Sequence, residues 1–295
     1  MRIRNAIALF IFFSFPFILF AQNSPNASSE VSYTKFSYFL ADIGFTNDAV
    51  FMGRGDSIST PYLFPSFTYF NKSGFFASTS LSYLTRIDEG RVDLIWLSAG
   101  YLFDKNKFSG GLSATGYVYS NYSYNVQSQM LASIWAYFSY DFKIMSLSLT
   151  GSCSFNDNQS VDVFSGVIID RIFYTLDSNL LINPTISLYA GTQQFYEQYY
   201  SSNRMGNGSD RRGSGSSSGQ QSPSNTISFN GATEFRVLNI ELSLPISYYF
   251  KSFIFSFTPY YAFPQNPATI IVGESIMQEE LSNRFYFYVG VGYWF

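Results

Sequence analysis

Apolar and polar positions alternate with a period of two along much of this chain, in runs of about ten residues separated by turn-forming clusters. Successive strand residues point to opposite faces, so the pattern predicts strands with one apolar and one polar face. It is clearest toward the C-terminus. Phe285, Phe287, Val289, Val291, Tyr293 and Phe295 share one face, while Arg284, Tyr286, Tyr288, Gly290, Gly292 and Trp294 share the other. Ile240, Leu242, Leu244, Ile246, Tyr248 and Phe250 alternate in the same way with Asn239, Glu241, Ser243, Pro245, Ser247 and Tyr249. Met145, Leu147, Leu149, Gly151 and Cys153 alternate with Ser146, Ser148, Thr150, Ser152 and Ser154. Runs of this length are what a membrane β-strand needs.

Extended along the chain, the pattern predicts about twelve strands, as expected of an antiparallel up-and-down transmembrane β-barrel. They fall at 33–45, 61–71, 74–85, 91–103, 107–119, 130–142, 144–155, 161–174, 180–198, 233–250, 253–263 and 284–295. Short connections such as Asn71-Lys72-Ser73-Gly74 and Lys251-Ser252 alternate with long ones at 46–60, 86–90, 120–129, 156–160, 199–232 and 264–282. Tight turns on one rim and loops on the other are the habit of outer-membrane barrels. The stretch 226–238 reads as an outward extension of the tenth strand pairing with the ninth; as a separate strand it would raise the count to about fourteen. The fourth and eighth strands carry apolar residues on both faces and cannot be oriented. Pro184, Pro245 and Pro259 fall inside strands, where a missing N–H predicts bulges or breaks.

Composition supports a membrane barrel over a soluble sandwich. Charged residues make up 13% of the 295, against about 25% in soluble domains, and aromatic residues reach 20%. A solvated sheet face would need many more Lys and Glu. Mean hydropathy is only +0.03, so the apolar surface is dispersed among short segments. A net charge of −3 excludes a nucleic-acid partner, which requires concentrated Lys and Arg.

The N-terminus reads Met1-Arg2-Ile3-Arg4, then an apolar stretch from Ala6 to Phe20, then Ala21-Gln22-Asn23-Ser24. This is the layout of a secretory signal, with cleavage expected after Ala21 although Leu19 departs from the small-residue pattern. The domain reading is a signal peptide over 1–21, a short segment over 22–32 and the barrel over 33–295, including a flexible Gly/Ser-rich loop at 199–232. Cys153 stands alone, away from the position of a lipoprotein's acylated Cys, and reads as a small apolar filler.

The chain stops at Phe295, with Tyr293, Val291, Val289 and Phe287 at alternate positions before it. This resembles the C-terminal insertion signal of bacterial outer-membrane β-barrel proteins. The resemblance implies residence in the cell outer membrane, recognition by the barrel-assembly machinery during biogenesis, and outer-membrane lipid and lipopolysaccharide as neighbours. It leaves oligomeric state open.

Candidate chemistry is sparse. The chain has no histidine, which removes Ser-His and Asp-His hydrolase arrangements and the commonest transition-metal ligand. No enzyme, cofactor or metal site is expected. Gly215-Ser216-Ser217-Ser218-Gly219 has the letters of a nucleophile elbow but belongs to a low-complexity run. Arg54-Gly55-Asp56 has the letters of an adhesion tripeptide, with a polar turn as the plainer reading. Arg204, Arg211 and Arg212 offer a contact to lipopolysaccharide, with a solvated loop as the plainer reading.

Candidate lumen charges are Arg91, Asp93, Asp141, Glu234, Arg236, Glu241 and Arg284, joined by Asp170 and Arg171 if their strand faces inward. Two functions follow. Ser78, Ser80, Ser82, Ser109, Gly111, Ser113, Thr115, Ser146, Ser148 and Thr150 would line a small passive channel or uptake pore for small polar solutes. Tyr117, Tyr119, Trp135, Tyr137, Tyr249, Tyr286, Tyr288 and Trp294 would instead fill a closed structural or surface-interaction barrel whose extracellular loops do the work.

Overall fold

A computed structural model describes residues 10–11, 17–18, 36–56, 58–120, 123–200, 227–272 and 275–295, which close into a barrel of twelve antiparallel strands. In chain order these are β1 (Tyr38–Thr46), β2 (Tyr62–Phe70), β3 (Phe75–Leu84), β4 (Arg91–Lys105), β5 (Phe108–Tyr119) and β6 (Met130–Asp141). They continue as β7 (Ser146–Asn156), β8 (Val161–Asp170, resuming at Phe173–Thr175) and β9 (Leu180–Ile182 and Thr185–Gly191). The last are β10 (Arg236–Ser243 and Ile246–Phe250), β11 (Phe253–Pro264) and β12 (Arg284–Trp294). Neighbours in sequence are neighbours in the ladder, and β12 returns to β1 with Gly290 opposite Gly44. Phe295 completes the seam: it and Phe39 exchange backbone hydrogen bonds at 3.0 and 2.9 Å.

Phe10–Ile11 pairs with Phe17–Ile18 apart from the barrel. The rest of the expected signal segment, the cut after Ala21, the segment 22–32 and the Gly215–Gly219 run lie outside the described residues.

The alternation read from sequence is the alternation of faces. In β12 the side chains of Phe285, Val289, Val291 and Tyr293 are exposed outward, while Tyr286 and Tyr288 are buried inward. The outward surface is apolar on every strand, and its lower rim carries paired aromatics. Phe39 stacks on Phe67 at 5.4 Å, Phe75 meets Tyr101 at 5.0 Å, Phe108 meets Tyr140 at 4.9 Å and Phe253 meets Tyr293 at 5.0 Å. An apolar belt edged by aromatic rings is the lipid-facing surface of a membrane barrel. Among the described residues no helix is long and apolar enough to cross a membrane; the crossing is made by strands.

β4 resisted orientation because it contains a bulge. Ser82 of β3 lies opposite Leu94, but the next residue, Tyr83, lies opposite Val92, leaving Asp93 as an extra residue. An inserted residue shifts the alternation by one, so Asp93 and Leu94 are both buried before Trp96 and Ser98 resume the inward face. β8 alternates regularly, with Asp162, Phe164 and Ile168 inward and Val161, Val163, Val167 and Ile169 outward. It defies a sequence reading because both faces are apolar.

Pro184 and Pro245 break their strands as predicted, and Pro259 does not. β9 breaks before Thr185 at Pro184, β10 breaks between Ser243 and Ile246 around Pro245, and β8 breaks beside them between Asp170 and Phe173. Pro259 sits inside an unbroken β11, where its carbonyl accepts from Leu244 at 3.1 Å. Its missing N–H therefore faces β10 where that strand is already interrupted.

Two readings of the outer loops are corrected. β9 ends at Gly191 and not at 198, because the chain turns into a short helix, α1 (Gln194–Tyr200). Asp162 stabilises the turn by accepting from the backbone N–H groups of Gln194 and Phe195 at 2.9 and 2.7 Å. With no ninth strand beyond Gly191, the segment Ile227–Asn230 does not extend β10. It pairs with Thr269–Val272, which pairs in turn with Ser275–Gln278, forming a separate small sheet whose Phe229 and Ile270 join the buried cluster of the mouth. The count stays at twelve.

Candidate functional site

The first outer loop does not project into solvent. It folds across the mouth of the barrel, and its Ala49, Val50, Phe51, Met52 and Arg54 are buried. Phe51 and Arg54 exchange backbone hydrogen bonds at 2.7 and 2.9 Å, with Met52 and Gly53 both at positive φ between them. That is a two-residue turn of the primed kind, which favours glycine in its second position. A Cβ on Gly53 would also strike Pro264 at 2.9 Å. The tip reaches the far wall: the Phe51 ring meets Phe164 of β8 at 5.3 Å and Phe195 of α1 at 4.9 Å, both edge-on.

Polar contacts tie this loop down. The Arg54 guanidinium donates to the carbonyls of Met52, Leu238, Gln265 and Asn266 and to Glu279 at 3.2 Å. It also faces the Tyr196 ring at 5.7 Å. The Arg54 and Glu279 side chains are 1% and 8% exposed, and removing one partner of such a pair costs about 3–5 kcal/mol. Asp48 accepts from Ala49 and Thr60 and pairs with Arg284 at 3.4 Å. Arg284 also donates to the carbonyls of Gly55 and Asp56 at 3.2 and 3.1 Å, and Tyr199 donates to Asp56. Arg54-Gly55-Asp56 is thus neither an adhesion motif nor a solvated turn; it is the fastening of the mouth.

The 120–129 loop adds a second layer with Ser123, Asn125 and Val126 buried. Arg91 pairs with Asp93 at 2.6 Å and lies over the Tyr124 ring at 4.8 Å. Partial burial, together with the nearby Glu89 carboxylate, holds the Tyr124 phenol above its ordinary value, so it stays a neutral ring under the cation.

Below the mouth the two walls differ. Strands β3, β5 and β7 turn Ser78, Ser80, Ser82, Ser109, Ser113, Ser146, Thr150, Ser152 and Ser154 inward. The opposite wall is aromatic: Tyr260 stacks on Tyr286 at 4.6 Å, with Tyr189 and Tyr288 also buried. At the lower end Tyr38 stacks on Phe70 at 4.9 Å, and Phe76, Leu102 and Ile254 are buried with them. These inward side chains are buried in this conformation. Yet Ser82 Oγ, Ser113 Oγ, Thr150 Oγ1 and Trp135 Nε1 are buried with no protein hydrogen-bond partner among the described residues.

The structure sorts the candidate charges. Glu241 lies inside, accepting from Tyr286 at 2.7 Å and Asn239 at 3.4 Å. Arg91, Asp93 and Arg284 belong to the mouth. Asp170 faces inward near the lower end of β8, whereas Arg171 is exposed, 5.9 Å from the Phe173 ring. Glu234 and Arg236 pair with each other at the outer rim, 57% and 40% exposed, because Glu234 sits in the turn before β10. Asp141 accepts from the Lys143 N–H at 2.6 Å and so closes a lower turn. Sequence reasoning missed Asp42 and Asp162, both inward. Alternation in β1 would have placed Asp42; the face of Asp162 was hidden by the two-sided apolarity of β8. Among the described residues no group of His, Cys, Asp or Glu is placed to hold a metal.

No protein-family model matches this chain, and no curated protein does. Among solved structures, the KdgM porin overlaps 86% of this chain and 98% of its own at 12% identity and a TM-score of 0.45. The NanC porin overlaps 86% and 98% at 10% identity and 0.45. LpxR from Salmonella typhimurium overlaps 87% and 100% at 11% identity and 0.43. Overlaps this distant transfer no solute and no activity to the chain. Its own strand number, closure and lipid-facing belt make it an outer-membrane β-barrel.

Proposed function

We propose that this barrel is a narrow uptake channel for small polar solutes, held shut at its outer mouth by its own first loop. The observation that carries the reading is the set of inward hydroxyl and indole groups without protein partners among the described residues: Ser82, Ser113, Thr150 and Trp135. Buried polar groups are hydrogen-bonded in native proteins, and leaving one unmet costs about 1–3 kcal/mol. A wall built this way suits a lumen filled by water or a polar solute better than a permanently packed one. A barrel of intermediate strand number can be filled or open according to its side chains. The small hydroxyls of β3, β5 and β7 leave room, and the loop closes it.

The second reading, a closed structural barrel with working loops, draws on the aromatic wall of Tyr189, Tyr260, Tyr286 and Tyr288. Recording purified, folded protein in a planar bilayer separates the two. The channel predicts rare, brief, discrete steps of small conductance. Silence from demonstrably folded barrels, both intact and with the loop shortened, favours the structural reading.

A further inference from the structure

Beneath the outer mouth, the described lumen carboxylates are not matched by cations. At the mouth, Arg54, Arg91 and Arg284 are paired with Glu279, Asp93 and Asp48. Deeper in, no ion pair among the described residues reaches Asp42, Glu241 or Asp170. Asp42 also lines a cavity of about 10 Å³ where β12, β1, β2, β3 and β4 adjoin, walled by the rings of Trp96, Phe64 and Tyr288 and by Ser66 and Ser78. That is room for about one water-sized group.

The site is built by local sequence choices. Asp42 stands opposite Gly292 on one side and Ser66 on the other, so both of its partners in the ladder are small. A Cβ at Gly44 or Gly290 would strike the Tyr288 ring, so these glycines let the tyrosine lie across the wall and donate to Asp42 Oδ1 at 3.2 Å. Ser66, Ser80 and Trp96 follow one another across the ladder from β2 to β4, which brings the indole to the same place.

We infer that the lumen selects for cations and that the Asp42 cavity is a binding place for a small primary ammonium group, such as the end of a short alkylamine. An ammonium is close to water in size, carries a full positive charge and has three N–H donors. Asp42 supplies the countercharge and an acceptor, Ser66 supplies a hydroxyl, and Trp96, Phe64 and Tyr288 line the cavity with aromatic side chains of the kind that attract a desolvated cation. An anion would meet the Asp42 charge. Asp42 and Glu241, fixed in a low-dielectric lumen, extend the preference along the path.

The solute class presupposes the channel, and the two fail separately. Methylammonium chloride titrated into folded protein in detergent, followed by tryptophan fluorescence, should give a saturable change. Asp42→Asn should weaken it by roughly tenfold or more, Trp96→Phe by severalfold, and Asp42→Glu, which keeps the charge, should retain it; folding of each variant is checked by heat-modifiable mobility. In a bilayer, barrels with the first loop shortened should be cation-selective in a potassium chloride gradient, and Asp42→Asn with Glu241→Gln should move them toward no selectivity. No saturable change in the wild type, an unaltered midpoint in folded Asp42→Asn, or an equal response to potassium chloride would overturn the ammonium site. Anion selectivity of the shortened barrel would overturn the cationic lumen. A silent bilayer with an intact titration would strike the channel and leave the site standing.

Discussion

Removing residues 50–56 converts rare, brief openings of the reconstituted barrel into sustained conduction. That segment holds the Phe51 ring against Phe164 and Phe195 and the Arg54 guanidinium against four carbonyls and Glu279. It is not part of the strand ladder, so the ring of twelve strands keeps every backbone bond that closes it. Buried aromatic and ion-pair contacts of this kind are worth about 3–5 kcal/mol each when truncated, enough to hold the mouth shut more than 99% of the time by the arithmetic of two-state equilibria. Single-channel recording is the check, with open probability as the readout. An unchanged open probability in a folded, heat-modifiable deletion variant would place the closure elsewhere, at the Tyr38, Phe70 and Phe76 layer of the lower end.

Phe295→Asp cuts the yield of assembled barrel severalfold, whereas Phe295→Tyr leaves it near normal. The backbone of Phe295 pairs with Phe39, and its ring stacks on Phe39 at 5.7 Å and on Tyr293 at 5.9 Å, so this residue finishes the seam. A carboxylate at this depth costs only about 1 kcal/mol or less near the interface. The equilibrium penalty is therefore modest, and a large loss of yield would come from the step in which the terminal strand is recognised. Heat-modifiable mobility of the membrane fraction measures it. Wild-type yield of the aspartate variant would remove Phe295 from any assembly signal.

What could be read from sequence and what could not divide along physical lines. β10 and β12 were legible because one face meets lipid and the other the lumen, and lipid imposes an apolar face at every second residue. β4 was illegible because the bulge at Asp93 changes the phase within one strand, and β8 because its inner face carries the apolar Phe164 and Ile168. The plug was missed although Val50-Phe51-Met52 is an apolar run in a loop otherwise rich in polar residues; that run was the available signal. Arg54 resembled a surface charge because, Met52 apart, its acceptors come from three distant stretches of chain. The pairing of Ile227–Asn230 with Thr269–Val272 was likewise invisible, since the end of β9 that frees it depends on Asp162, some thirty residues upstream of the helix it stabilises. Asp42 carries the most functional weight and sits in a strand whose alternation was readable but was not used to place it.

The central claim is that a polar-walled path lies behind a loop that shuts it, and the reactivity of a buried wall position tests this most directly. Cys153 points outward to lipid and is replaced by Ala to remove its thiol. Ser113, buried on the inner face of β5 and without a protein partner among the described residues, is then changed to Cys. A small charged methanethiosulfonate reagent is applied from the aqueous side to folded barrels in liposomes. The account predicts that Cys at this position is protected behind the intact loop and modified rapidly once residues 50–56 are removed. Equal modification in both barrels, or protection in both while each is folded, would contradict it.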